Sequence, residues 1–535
     1  MQYIIYILSL FLLHNFSNAQ NSQPKMTPHI PIQLTKQTIS VPTKYVNSFP
    51  KNVTINLPSE FTAKVFFAGS QLKKPRFFAW SPDSVLHVAD LDAASIFGFP
   101  DKNKDGIADT IITVAKSVIA HDIKFFNNAL YAAQERSVLR LIDTNKDGFY
   151  ETRSTFIDQI AEGAAQPGGG HTTRTILFDS LHAKMYLSIG SRCNVCRWDS
   201  TNNTDYLRAR IEQWNIDGTG RKTFAYGIRN SVGLMLRDGK VWGANNGSDN
   251  QGNDIPPEWI DVIRENGFYG YPFAHSDGIF FPINSNSPSD YKALLPYTIR
   301  DSQLVASMKQ PAALIQSHSA PMALISAQKN MPEYYRNGVF VALRGSWNRN
   351  PATGGKVIFL GFDNEQDTVA NMVSDFLSGF MTDSTKSSNW GWARPVGLET
   401  DANGNLYIGS DSFNKFILIV SPTSQTSSAE YSNTTIQDPI SISSQDDNSE
   451  SKSNSNLDVL MTENVTDIKT NTLKVVDLNI NIKGPKTSID RFLSNLSSSK
   501  QYIDIQDISI SIDNNESSQQ NIQLSIAAQT YYKKL

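Results

Sequence analysis

Cysteine is nearly absent from this chain. Only Cys193 and Cys196 occur among 535 residues, both in one Cys-Asn-Val-Cys stretch. Two thiols cannot complete a tetrahedral zinc site, and Arg197 stands where covalent haem attachment needs a histidine. No βαβ pattern surrounds the pair, so a local disulfide that stiffens a loop is the first reading and a redox-active pair the second. Excess charge is absent as well. Forty-eight Lys and Arg against 51 Asp and Glu leave a formal charge of -3 with no basic stripe, which argues against a nucleic-acid partner. Long apolar runs are missing beyond Tyr3 to Leu13. That run is too short to span a bilayer, and Ser17-Asn18-Ala19 follows it as a small-x-small cleavage site. Residues 1–19 therefore read as a signal peptide, although no Lys or Arg precedes the run, and the mature chain is expected outside the cytoplasm: periplasmic, secreted or on the cell surface.

Long helical periodicities are also few, whereas short aromatic-rich strands and turn sequences abound. Residues 20–56 read as an extended leader. From 57 to 420 a loose repeat runs through six segments: Val85–Asp90, Ala129–Gln134, Lys184–Gly190, Lys240–Asn246, Val339–Gly345 and Asn405–Asp411. Their starts lie 44, 55, 56, 99 and 66 residues apart. The shortest interval suits a four-stranded propeller blade and the longer ones leave room for inserted loops. The expected fold is all-β, a six-bladed β-propeller. Asx- and Gly-type turns such as Asp401-Ala-Asn-Gly404 join each segment to a preceding strand as a hairpin.

The residues leading into those preceding strands carry the chemistry. In chain order they are Arg76, His121, His171, Arg229, His318 and Arg394. Equivalent positions of successive blades surround one channel, so the repeat predicts three arginines and three histidines at one mouth. Such a ring suits an anion and a proton. His171 follows three glycines, Gly168 to Gly170, which let the backbone turn tightly, and a histidine in a cleft can take a proton from a substrate.

Two loops, Asp101–Asp109 and Asp143–Glu151, share the D-x-N-x-D-G spacing that offers oxygens to a hard cation, but Ile112 and Ser154 replace the twelfth-position glutamate. Structural Ca²⁺ and plain Asx turns both remain open there. Residues 421–456 are rich in Ser, Asn and Asp and read as a disordered linker. Residues 457–535 follow as a small α+β module: Leu478–Lys483 alternates as a strand, Ile489, Phe492, Leu493 and Leu496 form a helical stripe, and two more alternating runs lie at 503–512 and 522–532. This β-α-β-β order is similar in pattern to the ferredoxin-like half domain of PilO-like pilus-assembly proteins, with a cell-surface or pilus-related partner as the implied role.

Residues 57–420 resemble the soluble pyrroloquinoline quinone (PQQ)-dependent sugar dehydrogenases, in particular the L-sorbosone dehydrogenase-like branch. The resemblance rests on Gly-Gly-Gly-His171, Gly190-Ser-Arg-Cys-Asn-Val-Cys196, Phe224-Ala-Tyr-Gly-Ile-Arg-Asn230, Asn266-Gly-Phe-Tyr-Gly-Tyr-Pro272, His318-Ser-Ala-Pro321, Gly345-Ser-Trp-Asn-Arg349 and Arg394-Pro-Val-Gly397. It implies PQQ and Ca²⁺ at the top of the channel, a sugar substrate and an external electron acceptor. It makes His171 the general base and sets Arg229 beside the reacting quinone oxygen. Asn230 and Arg394 contact the cofactor, and Arg344 stands in the blade where the family has a lysine. Arg76, His121 and His318 would complete the cofactor and substrate surroundings. Gly247 and Ser248 fall where the family's Ca²⁺ ligands lie, and Asp249 or Asp254 could add oxygens. Two other functions compete: a non-catalytic propeller for surface binding, and a metal-dependent propeller lactonase, which would want carboxylates where this chain has Arg and His.

Overall fold

The computed structural model describes residues 23–160, 170–197, 208–386 and 390–423, together with strands at 458–467, 473–485, 503–513 and 521–533. The signal-peptide reading, Gly168 and Gly169, and nearly all of the 421–456 stretch fall outside the described residues. The chain divides into two compact units, 1–427 and 428–535.

In the first unit six sheets follow one another, each a four-stranded antiparallel blade, the third with a short fifth strand added in parallel. Their innermost strands are Pro75–Trp80, Asp122–Phe126, Arg174–Asp179, Ser231–Arg237, Pro321–Ser326 and Ala393–Thr400, and each adjoins the next around a closed ring. The six repeated segments form the second strand of each blade, from Leu86–Asp90 to Leu406–Phe413. Their alternation of apolar and small residues buries both faces between neighbouring sheets; Leu86–Asp90 and Ala129–Ala133 are buried throughout. The sixth blade takes its outer strand from the beginning of the chain. Phe61–Ala68 pairs with Phe416–Pro422, so backbone hydrogen bonds close the ring and remove two free strand edges.

The leader is structured rather than merely extended. Thr35–Thr38 pairs with Thr54–Leu57, Tyr45 and Phe49 are buried, and the Ile30 amide donates to Val373. The proline-rich composition concealed this, because the strap gains its order from the propeller beneath it. The long fourth-to-fifth interval is an insertion between strands Glu258–Val262 and Ala313–Ile315. It contributes Gly267–Phe268 to blade 3 and packs Phe268, Phe273, Phe281 and Tyr291 around Val195 of the cysteine loop.

The second unit is an antiparallel four-stranded sheet in the order 458–467, 473–485, 521–533, 503–513. Three strands coincide with the expected alternating runs. The strand Asp458–Asp467 was not expected, and the helical stripe at 489–496 lies outside the described residues.

Candidate active site

The inner strands deliver their leading residues to one end of the ring. A cavity of about 530 Å³ there is lined by Arg76, His171, Arg229, Asn230, Gly247, Asp249, His318, Arg344 and Arg394 among others. Of the six ring residues, only His121 does not line it.

His171 is placed by close backbone approach. Gly170 has φ +63, and a Cβ there would collide with the carbonyls of Ser191 and Arg192. Gly190 lies so near that its Cβ would meet the His171 Cβ at 2.5 Å. The His171 Nδ1 lies 3.1 Å from the Ser191 carbonyl and 3.0 Å from its Oγ. The carbonyl only accepts, and Ser191 Oγ spends its proton on the Cys193 carbonyl at 2.7 Å. Nδ1 therefore carries the ring proton and Nε2 is left as an acceptor, the state a general base needs. Burial, then the positive charge of Arg229, push the His171 pKa down to about 3, so the ring is neutral at any ordinary pH.

Arg229 sits in a cage of oxygens. Its Nε donates to the Asn194 carbonyl at 3.1 Å, Nη1 to the Asn246 and Gly247 carbonyls, and Nη2 to Asn194 Oδ1 at 3.1 Å and Asp249 Oδ2 at 2.8 Å. Asp249 also accepts from Asn348 at 2.7 Å. Cys193 and Cys196 are disulfide-bonded. The loop they close contains Asn194, and Ser191, two residues before it, donates to the Cys193 carbonyl, so one braced turn orients His171 and Arg229 together. The Gly190–Cys196 motif is plain in the sequence, but nothing in it marks Ser191 and Asn194 for these roles.

The opposite wall is built differently. Arg76, 5% exposed, and Arg344 both pair with Asp411. Burial alone would raise the Asp411 pKa, but Arg76 and Arg344 outweigh it and hold the carboxyl below its usual range. Arg394 donates to the Arg344 and Gly345 carbonyls and lies over the Trp390 ring, 5.4 Å from its centroid. Burial, then the neighbouring Arg344, lower its pKa to about 10. Asp411 was also missed, although it closes the sixth repeated segment.

His121 is sealed behind Arg76, whose Nε donates to its Nδ1 at 3.1 Å. Burial and Arg76 hold its pKa well below the usual value. It supports Arg76 and does not line this cavity. His318 lines the cavity with its Nε2 2.9 Å from the Gly252 carbonyl, and burial lowers its pKa. Asn230 is held through its backbone by Asn245 and Asn246. Glu258, which sequence reasoning did not single out, also lines the cavity; burial raises its pKa to about 8.

The donor set suits a planar polyanion. Arg76, Arg344 and Arg394 face the cavity with one carboxylate between them, and Arg394 is crowded by a like charge that an anion would relieve. The candidate metal oxygens are of the hard type that Ca²⁺ takes, but the Gly247 carbonyl and the Asp249 carboxylate serve Arg229, while Ser248 is buried beside them. A cation there would share them with the guanidinium. Asp254 instead pairs with Arg349 at 3.0 Å.

Residues 55–422 match the TrAA12-like family. A PQQ-dependent pyranose dehydrogenase of Coprinopsis cinerea is 26% identical over 295 residues, covering 46% of this chain and 39% of that enzyme. An uncharacterized protein of Borreliella burgdorferi is 26% identical over 378 residues, 68% of this chain and 89% of that protein. Among solved structures, the holo PQQ domain of the Coprinopsis cinerea pyranose dehydrogenase aligns over 72% of this chain and all of that domain, with a TM-score of 0.57 at 20% identity. A calcium structure of the Trichoderma reesei carbohydrate-active family AA12 aligns over 71% of this chain and all of its own, with a TM-score of 0.58 at 18% identity. These structures bear out the propeller. The family match ends before the C-terminal sheet and gives the PilO-like resemblance no support. The chain belongs to the TrAA12-like family.

Proposed function

We propose that this member of the family is a quinoprotein sugar dehydrogenase, oxidising an aldose or related hydroxy-aldehyde and passing electrons to an external acceptor. One observation carries the reading: a neutral histidine with Nε2 as acceptor shares a cavity with an arginine cluster that has too few carboxylates of its own. PQQ, when bound, supplies the two-electron acceptor. Arg76, Arg344 and Arg394 would hold its carboxylates, with Asn230 as a hydrogen-bonding neighbour and His318 at the rim. Gly247, Ser248 and Asp249 are the candidate Ca²⁺ ligands.

Within that arrangement His171 takes the proton of the reacting hydroxyl at Nε2, and Ser191 fixes the ring through Nδ1. The proton arrives on a ring that burial keeps neutral, and negative charge brought into the cavity offsets the field of Arg229 and raises the basicity of His171. Arg229, immobilised by its oxygen cage, supplies a fixed positive charge with no reorganisation during the reaction. The disulfide supports an oxidising compartment, hence export. A lactonase would want a carboxylate cluster, and among the described residues no group of three or more His, Cys, Asp or Glu is placed to hold a metal.

The test is reconstitution. Full-length protein given PQQ and Ca²⁺ should bind the quinone and reduce an artificial dye with at least one member of a sugar panel. Failure to bind PQQ overturns the proposal.

A further inference from the structure

A second cavity of about 410 Å³ adjoins the first and shares with it Lys74, Arg344, Trp347 and Arg394. Lys73, Lys415, Asp92 and Asp411 line this outer cavity and not the inner one. Its carboxylates do little to balance its cations. Asp411 is consumed by Arg76 and Arg344, and the Lys74–Asp92 pair is loose, at 3.7 Å between largely exposed groups. Lys73 and Lys415 have no carboxylate partner among the described residues. Trp347, 61% exposed, stands at the seam of the two cavities. Its flat indole face suits the C–H face of a pyranose ring.

The cofactor accounts for Arg344 and Arg394, which the two cavities share, but not for the rest of this patch. The base His171 and Arg229 line the inner cavity alone, whereas Lys73 and Lys415 line the outer one alone. The shape is concave and sized for one or two sugar rings, not the flat area of about 800 Å² per partner that a protein would cover. A cleft with low-dielectric walls and one sign of charge concentrates ligands of the opposite sign.

We propose that the outer cavity is an anion subsite, and that the preferred substrate is an acidic saccharide. Its carboxylate or sulfate ester lies at Lys73 and Lys415 while the ring to be oxidised lies at His171. This rests on the dehydrogenase reading above.

The experiment uses full-length protein reconstituted with PQQ and Ca²⁺, and compares a neutral oligosaccharide with its uronate and sulfated counterparts. One charge-assisted contact gives the acidic compounds about a tenfold advantage in kcat/KM at low ionic strength. The uronate and sulfate arms show which anion is preferred, and the advantage shrinks in high salt. The double substitution Lys73→Gln, Lys415→Gln brings the ratio near one, while Lys146→Gln, in a blade-2 loop, keeps it. Equal kcat/KM for neutral and acidic compounds, or a ratio that survives the double substitution, overturns the anion subsite and leaves the dehydrogenase standing. If no saccharide turns over, calorimetry decides. Acidic-saccharide binding lost in the double variant keeps the subsite and sinks the dehydrogenase; absence of binding sinks both.

Discussion

The two walls of the channel mouth hold their arginines by opposite means. On one wall Arg229 is satisfied by five oxygens, four of them uncharged, from Asn194, Asn246 and Gly247, with Asp249 as the fifth. On the other, Arg76 and Arg344 divide one carboxylate and Arg394 has only carbonyls. The first wall is complete in itself and fixes geometry. The second is electrostatically incomplete, which is what a site for an anion looks like before the anion arrives.

Removing one carboxylate from each wall should break that comparison most visibly. Asp411→Asn leaves buried Arg76 uncompensated and should lower stability by about 3–5 kcal/mol. Asp249→Asn leaves Arg229 its four neutral acceptors and should cost about 1 kcal/mol. Chemical unfolding of both variants measures the difference; equal losses would mean that the walls are not distinct.

The next effect is on activity. His171→Ala should cut turnover by about 10²- to 10⁴-fold while quinone binding persists. Arg394→Ala should do the reverse, weakening quinone binding and sparing turnover at saturating cofactor. Dye-reduction kinetics with a cofactor titration separate the two; if turnover persists in His171→Ala, the base lies elsewhere.

The disulfide sharpens the contrast further, since it braces only the first wall through Ser191 and Asn194. Replacing both cysteines with serine should lower turnover by about tenfold to a hundredfold, as small misplacements of a base do. Quinone affinity should stay near that of the parent, and a drop as large as that of Arg394→Ala would show that the loop serves both walls.

How much of this was readable beforehand follows the same division. The repeat located the second strand of all six blades, because a strand buried on both faces imposes an apolar pattern that survives loop insertion. It also brought five of six leading residues to the cavity. His121 failed because periodicity gives a residue's height on a blade, not whether a neighbour such as Arg76 covers it. Ser191 and Asn194 were hidden because their work is local hydrogen bonding, which leaves no period in the sequence. Asp411 was visible as the acidic end of the sixth segment, matching Asp90 in the first. Its pairing with Arg76 depends on ring closure, a contact between residues 335 positions apart. Closure by Phe61–Ala68 was likewise silent, since a strand does not announce its partner.

The smallest effect separates His171 from His121, the buried neutral histidine of each wall. An unfolded histidine titrates near 6.5, whereas His171 is held at about 3. Between those values the unfolded chain binds a proton that the fold refuses, so stability falls as pH drops from about 6.5 toward 3. His171→Gln should flatten that slope by less than about 1.4 kcal/mol per pH unit, the ceiling for one group. His121 contributes a slope of the same sign, as do His87 and His275, which burial holds at about 4. The two walls part when a small tricarboxylate such as citrate is added. His171 lines the cavity, so an anion that offsets Arg229 raises its pKa and weakens its share of the slope. His121 is sealed behind Arg76 and keeps its share. The citrate-induced shift in unfolding midpoint should therefore grow from pH 6.5 to 4.5 in the parent and stay constant in His171→Gln. A citrate shift with the same pH dependence in both would place the responding group on the other wall.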